Sequence, residues 1–222
     1  MRRHDRVFLR HGAPFRAACA EIDPAAQACV RQWIDAGRPL VAARQTGEPE
    51  AVRLGLTLPT AQGRKRLGIV VERRDVAAVR APLGISQCLC RLPASDAVAL
   101  SVLESSLERA GVAAGVYGSL AWEVMADAAY RHAESDIDLV CDVHSLSQLC
   151  LSIAALRQCA SRLAGRLDGE IRLPNGDAVA WRELADRLDS PQASVLVKGA
   201  REVGLLSVQD LLGSLGGERR CA

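Results

Sequence analysis

The chain has 222 residues, 49% of them apolar but only 3% aromatic, so one large core or two small ones must be filled by Ala, Leu and Val. A net charge of +2 falls short of the strongly basic balance of a nucleic-acid binder, and no nucleic-acid partner is expected. With no run of 18 apolar residues and no apolar leader in "MRRHDRVFLRHGAPF", neither a membrane span nor a signal peptide is expected, and a cytoplasmic protein is.

The eight cysteines are scattered, without a C-x-x-C pair, and histidines number only four, so reduced thiols are expected rather than a zinc site. Charge is divided unevenly along the chain. Residues 1–95 hold 16 Lys/Arg against 8 Asp/Glu, and residues 96–222 hold 12 against 18. A basic half followed by an acidic half suggests that the first attracts anions and the second holds cations.

In chain order, "AAQACVRQWIDAG" has helical spacing and stops at Gly37. "PLVAARQ", "VRLGLTLP" and "KRLGIVVERRDV" read as short strands, with turns at "TGEP" and "PTAQG". "VRAPLGISQCLCRLPAS" reads as a connector. We therefore expect a small basic α+β domain over residues 1–90 and a second domain over 91–222. In the latter, Ser95 or Asp96 can cap a helix that runs to about Ala110 and ends at Gly111.

"VAAGVYGS" is a short apolar strand ending in a Gly-Ser turn, and Ser119 is a natural N-cap for a helix over "LAWEVMADAA". "SDIDLVCDV" is a second strand, and "SLSQLCLSIAALRQCASRLAG" is a long amphipathic helix. "GEIRLPNGDAVAW" is a hairpin turned at Pro-Asn-Gly, with helices over "AWRELADRLD" and "SVQDLLGSLG" to follow. Trp122 and Trp181 read as core, and His132 as a loop residue.

The chemistry concentrates at "SDIDL". Burying one carboxylate costs several kcal/mol unless a cation compensates it, and here there are two. Side chains alternate along a strand, so Asp136 and Asp138 share a face, about 6–7 Å apart, while Ile137 and Leu139 point into the core. Two carboxylates so placed can share a divalent ion, and all-oxygen ligation suits Mg²⁺ or Mn²⁺. Upstream, Gly118 lets a phosphate approach the backbone, and the helix beginning at Ser119 offers free N–H groups. The 17 positions from Ser119 to Asp136 accommodate that helix and a return to the neighbouring strand.

Gly-Ser, a helix and then Asp-x-Asp on the next strand resembles the polymerase-β-like nucleotidyltransferase superfamily. The resemblance implies an α+β fold whose C-terminal domain is a mixed sheet with flanking helices. It also implies that the Asp pair holds Mg²⁺ on a nucleotide triphosphate and that Gly-Ser contacts the phosphates. A third acid on a later strand is implied too. "LDGEIRL" offers Glu170, deeper in the strand and the first choice, with Asp168 close behind.

More narrowly, "RHD", "VYGSLAWEVMADAAYRHAESDIDL", "LDGEIRLPNGDAVAWREL" and "VLVK" resemble the holo-acyl-carrier-protein synthases of malonate decarboxylase, the phosphoribosyl-dephospho-CoA transferases. That family implies two partners, 2′-(5″-triphosphoribosyl)-3′-dephospho-CoA and the apo acyl-carrier subunit of malonate decarboxylase. The prosthetic group passes to a carrier serine and diphosphate is released. The family's two catalytic aspartates fall on Asp136 and Asp138, and His4 and Asp5 match its opening.

From residue chemistry, Glu170 or Asp168 is expected to complete the metal shell or accept the serine proton, and Ser119 to hold phosphate. Lys198 and Arg201 add positive charge near the leaving group, and Arg64, Lys65, Arg66, Arg73 and Arg74 steer the anionic donor or an acidic carrier. Two rivals stand beside this reading: a nucleotidyltransferase using ATP or CTP, and a non-catalytic nucleotide-binding module. The intact Gly-Ser, Asp pair and third-acid candidates speak against the module.

Overall fold

The computed structural model describes residues 1–19, 22–45, 48–199 and 202–215; Arg201 lies outside them. The chain forms two compact units, Met1–Pro82 with Leu120–His132, and Leu83–Ser119 with Ala133–Ala222.

In the first unit, helix α1 (Pro24–Asp35) starts where the sequence signals it. Asp23 accepts from the Ala26 amide at 2.8 Å and Pro24 takes the first helical position. Its buried face, Ala26, Val30, Trp33 and Ile34, follows the i, i+4, i+7, i+8 spacing of an amphipathic helix. The strands β3 (Leu40–Ala42), β4 (Ala51–Thr57) and β5 (Arg66–Glu72) form as expected, β4 with strict alternation of buried and half-buried positions.

Three further strands, β1 (Arg6–Leu9), β2 (Arg16–Ala17) and β6 (Val76–Arg80), join them in a six-stranded antiparallel sheet. Its order is β2-β5-β4-β3-β1-β6. The expected connector therefore needs correction. Val79 and Arg80 pair with Val7 and Arg6, and Ser86–Arg91 forms a 3₁₀ helix. Pairing to β1, distant in sequence, makes this short segment a strand.

The core of the unit gathers Val7, Val30, Trp33, Leu40, Leu54 and Ile69 with Trp122, Ala126 and Tyr130. Trp122 meets Trp33 edge-on at 5.7 Å and stacks on Tyr130 at 6.2 Å. At the opening of the chain, His4 and Asp5 make a structural turn. His4 adopts φ +71°, its amide donates to Ala42 O at 3.1 Å, and Asp5 accepts from the Arg2 amide at 2.6 Å.

In the second unit, α2 (Ala94–Arg109) starts two residues earlier than a Ser95 cap requires, with Pro93 at the N-cap. Asp96 lies buried in the first turn and accepts from the Ala164 amide at 3.2 Å, so a tertiary contact takes the carboxylate the cap was expected to use. Strand β7 (Ala113–Tyr117) runs straight into α3 (Gly118–Ala126), which makes Ser119 its second residue rather than its N-cap. Then come β8 (Ile137–Asp142), α4 (Leu146–Ala160, capped by Ser145) and β9 (Leu167–Arg172). After these follow β10 (Ala178–Ala180), α5 (Trp181–Arg187), β11 (Ser194–Lys198), β12 (Val203–Ser207) and α6 (Val208–Gly213).

The strand order is β12-β11-β10-β9-β8-β7, antiparallel throughout except for β8 beside β9. The two parallel strands are joined by α4, as parallel neighbours need a crossover. An α+β molecule with a mixed six-stranded sheet and flanking helices is therefore what the chain builds. The core of this unit contains Leu103, Leu139, Leu149, Ile171, Leu184 and Trp181. Burial pushes the Cys141 thiol up to about 12 and the Cys159 thiol to about 11.

Registry at the parallel pair is tight. Gly169 has φ +143°, and a Cβ there would lie 2.0 Å from the Leu139 carbonyl oxygen. Only glycine lets β9 come alongside β8 at that point. This brings Asp168, one residue earlier, level with Asp138.

Candidate active site

Registry assembles the site. Asp138 pairs with Tyr117 across β7–β8 and with Asp168 across β8–β9, so three adjacent strands meet at one level. Because strands end near this level, β7 turns into α3 at once, and the turn is made by Gly118 with φ +68°. A Cβ on Gly118 would stand 2.0 Å from Asp138 Oδ2. The Gly-Ser turn and the second acid are thus in direct contact, although 20 positions separate Gly118 from Asp138. Ser119, half-buried, follows within the first turn of α3.

Asp136 sits immediately before β8, half-buried like Asp138. It shares a cation with Asp168. Arg166 Nη1 lies 3.9 Å from Asp136 Oδ2, and Arg166 Nη2 lies 3.6 Å from Asp168 Oδ2. The other Asp168 oxygen accepts from the Gly169 amide at 2.8 Å, which fixes the carboxylate at the strand entry. Three acids, Asp136, Asp138 and Asp168, therefore lie at the entry to the parallel pair beside Gly118.

Glu170 is placed differently. It lies two residues further along β9, 4% exposed, and one of its oxygens accepts from Lys198 Nζ at 2.9 Å. Lys198 reaches it from β11, across β10. Two residues beyond, Arg172 grips the buried Asp142 of β8 through Nε at 2.5 Å and Nη2 at 2.9 Å. The polar face of β8 and β9 thus runs from half-buried acids at one end to fully neutralised buried ion pairs at the other. His132 is exposed in the loop that precedes the acids.

Sequence reasoning missed Arg166 and the Asp142–Arg172 pair. Alternation from Asp138 and Asp168 would have placed the pair on the acids' face. Arg166 carried a weaker signal, a basic residue at a strand entry.

Among the described residues no three His, Cys, Asp or Glu side chains close a complete metal ligand set. The donors are nevertheless those of a hard cation: carboxylate oxygens of half-buried acids, with Asp138 reaching into the space that Gly118 leaves by lacking a side chain. Mg²⁺ characteristically takes one or two carboxylates and completes its shell with water and substrate phosphates, which fits Asp136 and Asp138.

A family model described as phosphoribosyl-dephospho-CoA transferase MdcG C-terminal domain matches residues 83–209, and its N-terminal counterpart matches residues 2–82. The chain belongs to this family. A relative from Xanthomonas campestris pv. campestris (strain 8004) is 36% identical over 198 residues, covering 88% of this chain and 89% of its own. One from Xanthomonas euvesicatoria pv. vesicatoria is 34% identical over 206 residues, covering 92% and 93%. One from Bradyrhizobium diazoefficiens is 32% identical over 205 residues, covering 92% and 89%. All three carry the name phosphoribosyl-dephospho-CoA transferase. No solved structure matches the chain.

Proposed function

We propose that this MdcG-family chain is a cytoplasmic, Mg²⁺-dependent (or Mn²⁺-dependent) nucleotidyltransferase. It transfers the phosphoribosyl-dephospho-CoA group from 2′-(5″-triphosphoribosyl)-3′-dephospho-CoA to a serine of the apo acyl-carrier subunit of malonate decarboxylase. The observation that carries the chemistry is the contact of the Gly118 turn with Asp138, level with Asp168. Family membership carries the choice of donor. Among the described residues no helix is long and apolar enough to cross a membrane.

In this reading Gly118, Ser119 and the first amides of α3 hold the terminal phosphates against a favourable helix dipole. Asp136 and Asp138 would hold the metal, which supplies charge neutralisation on the departing diphosphate. We assign Asp168 the part of third acid. It faces Asp138 in register, whereas a Glu170 oxygen is already engaged by Lys198. Asp168 accepts the proton of the carrier serine as the serine oxygen attacks the α-phosphorus. The serine O–P bond forms, the bond to the bridging oxygen breaks, and diphosphate leaves. Lys198 then serves as the ion-pair partner of Glu170 and holds β9 in place rather than binding phosphate.

Incubation with Mg²⁺, the triphosphate donor and the apo carrier, followed by intact mass of the carrier, tests the proposal. A mass gain of one prosthetic group is expected, and an unchanged carrier overturns it. Modification that persists in Asp136→Asn or Asp138→Asn overturns the assigned chemistry instead. Asp168→Asn is expected to lose about 10²-fold or more in kcat, the range for a lost general base. Glu170→Gln is expected to lose stability more than rate.

A further inference from the structure

Arg166 has no part in the steps above, yet its guanidinium reaches two of the acids. Its backbone is fixed: the Arg166 carbonyl accepts from the Ile137 amide at 2.9 Å, which ties the entry of β9 to the entry of β8. Its side chain is 61% exposed and holds Asp136 and Asp168 at 3.9 and 3.6 Å through separate nitrogens. These are ion-pair distances without hydrogen-bond closeness, and exposed pairs of this kind are weak.

A divalent ion seeking the same carboxylate oxygens competes with the guanidinium for them and repels it. A polyphosphate offers that guanidinium a stronger partner, because an arginine fork matches two phosphate oxygens at once. Metal and phosphate together therefore favour release of Arg166 from the acids.

We infer that Arg166 is an exchangeable counter-ion that neutralises Asp136 and Asp168 before the donor arrives and then moves to the donor's leaving diphosphate. The inference rests on the reading of Asp136 and Asp138 as a metal clamp. It makes two demands of opposite sign, which an arginine with a merely structural role does not meet. Removing Arg166 strengthens binding of the metal alone and weakens binding of diphosphate with the metal.

Both can be read on the full chain without carrier or activity, using Mn²⁺ followed by its electron paramagnetic resonance signal and inorganic diphosphate as probes. Arg166→Ala is expected to bind Mn²⁺ alone about two- to fivefold more tightly than the wild type. With Mn²⁺ present it is expected to bind diphosphate at least about tenfold more weakly. Arg166→Lys is expected to recover part of the diphosphate affinity. Should Arg166→Ala lower the unfolding midpoint, Arg166→Gln, which keeps the apolar stem, carries the same two expectations.

Wild-type binding with both affinities unchanged in the Arg166 variants overturns the exchange alone. Weaker Mn²⁺ binding in the variants overturns it as well, since the guanidinium would then support the metal site. A wild type that binds no Mn²⁺, or binds it equally in Asp138→Asn, overturns the metal clamp and the exchange with it.

Discussion

Gly118 shows how much a single residue decides here. At φ +68°, and with Asp138 Oδ2 only 2.0 Å from where a Cβ would stand, any side chain must both strain the backbone and displace the acid. Gly118→Ala is expected to lower stability by about 1–3 kcal/mol and to reduce prosthetic-group transfer sharply, read by thermal unfolding and by carrier mass. Glu123 makes a second residue-scale case. Burial by itself raises its pKa. The Arg131 amide at 2.9 Å, the Arg131 guanidinium at 2.8 Å and the Tyr130 amide at 3.1 Å outweigh that and hold it below the ordinary carboxylate value. A group whose folded pKa is depressed adds stability above its unfolded pKa and loses it as pH falls through the folded one. Glu123→Gln is therefore expected to destabilise the protein near neutral pH and to flatten the acid limb of the stability curve, measured by urea unfolding at several pH values.

At the scale of elements, the parallel pair β8–β9 sets the geometry of the site. Its far end is locked by Arg172 and Asp142, which are 3% and 9% exposed. Breaking one partner of such a buried pair leaves an uncompensated charge, so Asp142→Ala is expected to cost about 3–5 kcal/mol in urea unfolding. The double change Asp142→Leu with Arg172→Met is expected to cost less than Asp142→Ala alone, because it leaves no orphan charge. Most elements in this half were legible in sequence, because β7, α4 and the β9–β10 hairpin carry clear periodicity and turn residues. The caps were less legible. Asp96 was drawn into a contact with Ala164, and α3 began at Gly118 because the backbone had to turn around Asp138.

At the scale of the whole molecule, charge is the property that sequence displays most openly. The basic surplus of residues 1–95 includes the exposed Arg64 and Arg66 on the turn into β5. Of the other basic residues in this half, Lys65 meets Asp23 at 3.1 Å and Arg74, past the far end of β5, meets Glu72 at 2.7 Å. If the basic half steers an anionic donor or carrier, Arg64→Ser with Arg66→Ser raises KM at low salt and leaves kcat unchanged. The difference is expected to vanish near 1 M salt, where the screening length falls to about 3 Å. Steady-state kinetics at two ionic strengths checks it.

By itself the sequence determined the fold class, most helices and the identities of the acids, since these follow from short-range periodicity, turn chemistry and residue type. It also pointed to Gly118 and Asp138 as parts of one site. Tertiary structure alone decided which later acid stands beside them. Alternation puts Asp168 and Glu170 on the same face and cannot rank them; strand registry, set by the approach of Gly169 to Leu139, levels Asp168 with Asp138 and leaves Glu170 to Lys198. Arg166 reaches two acids for the same reason. A register between parallel strands is fixed by the packing of a crossover helix and the close approach of two backbones, and neither is written in the local pattern of residues.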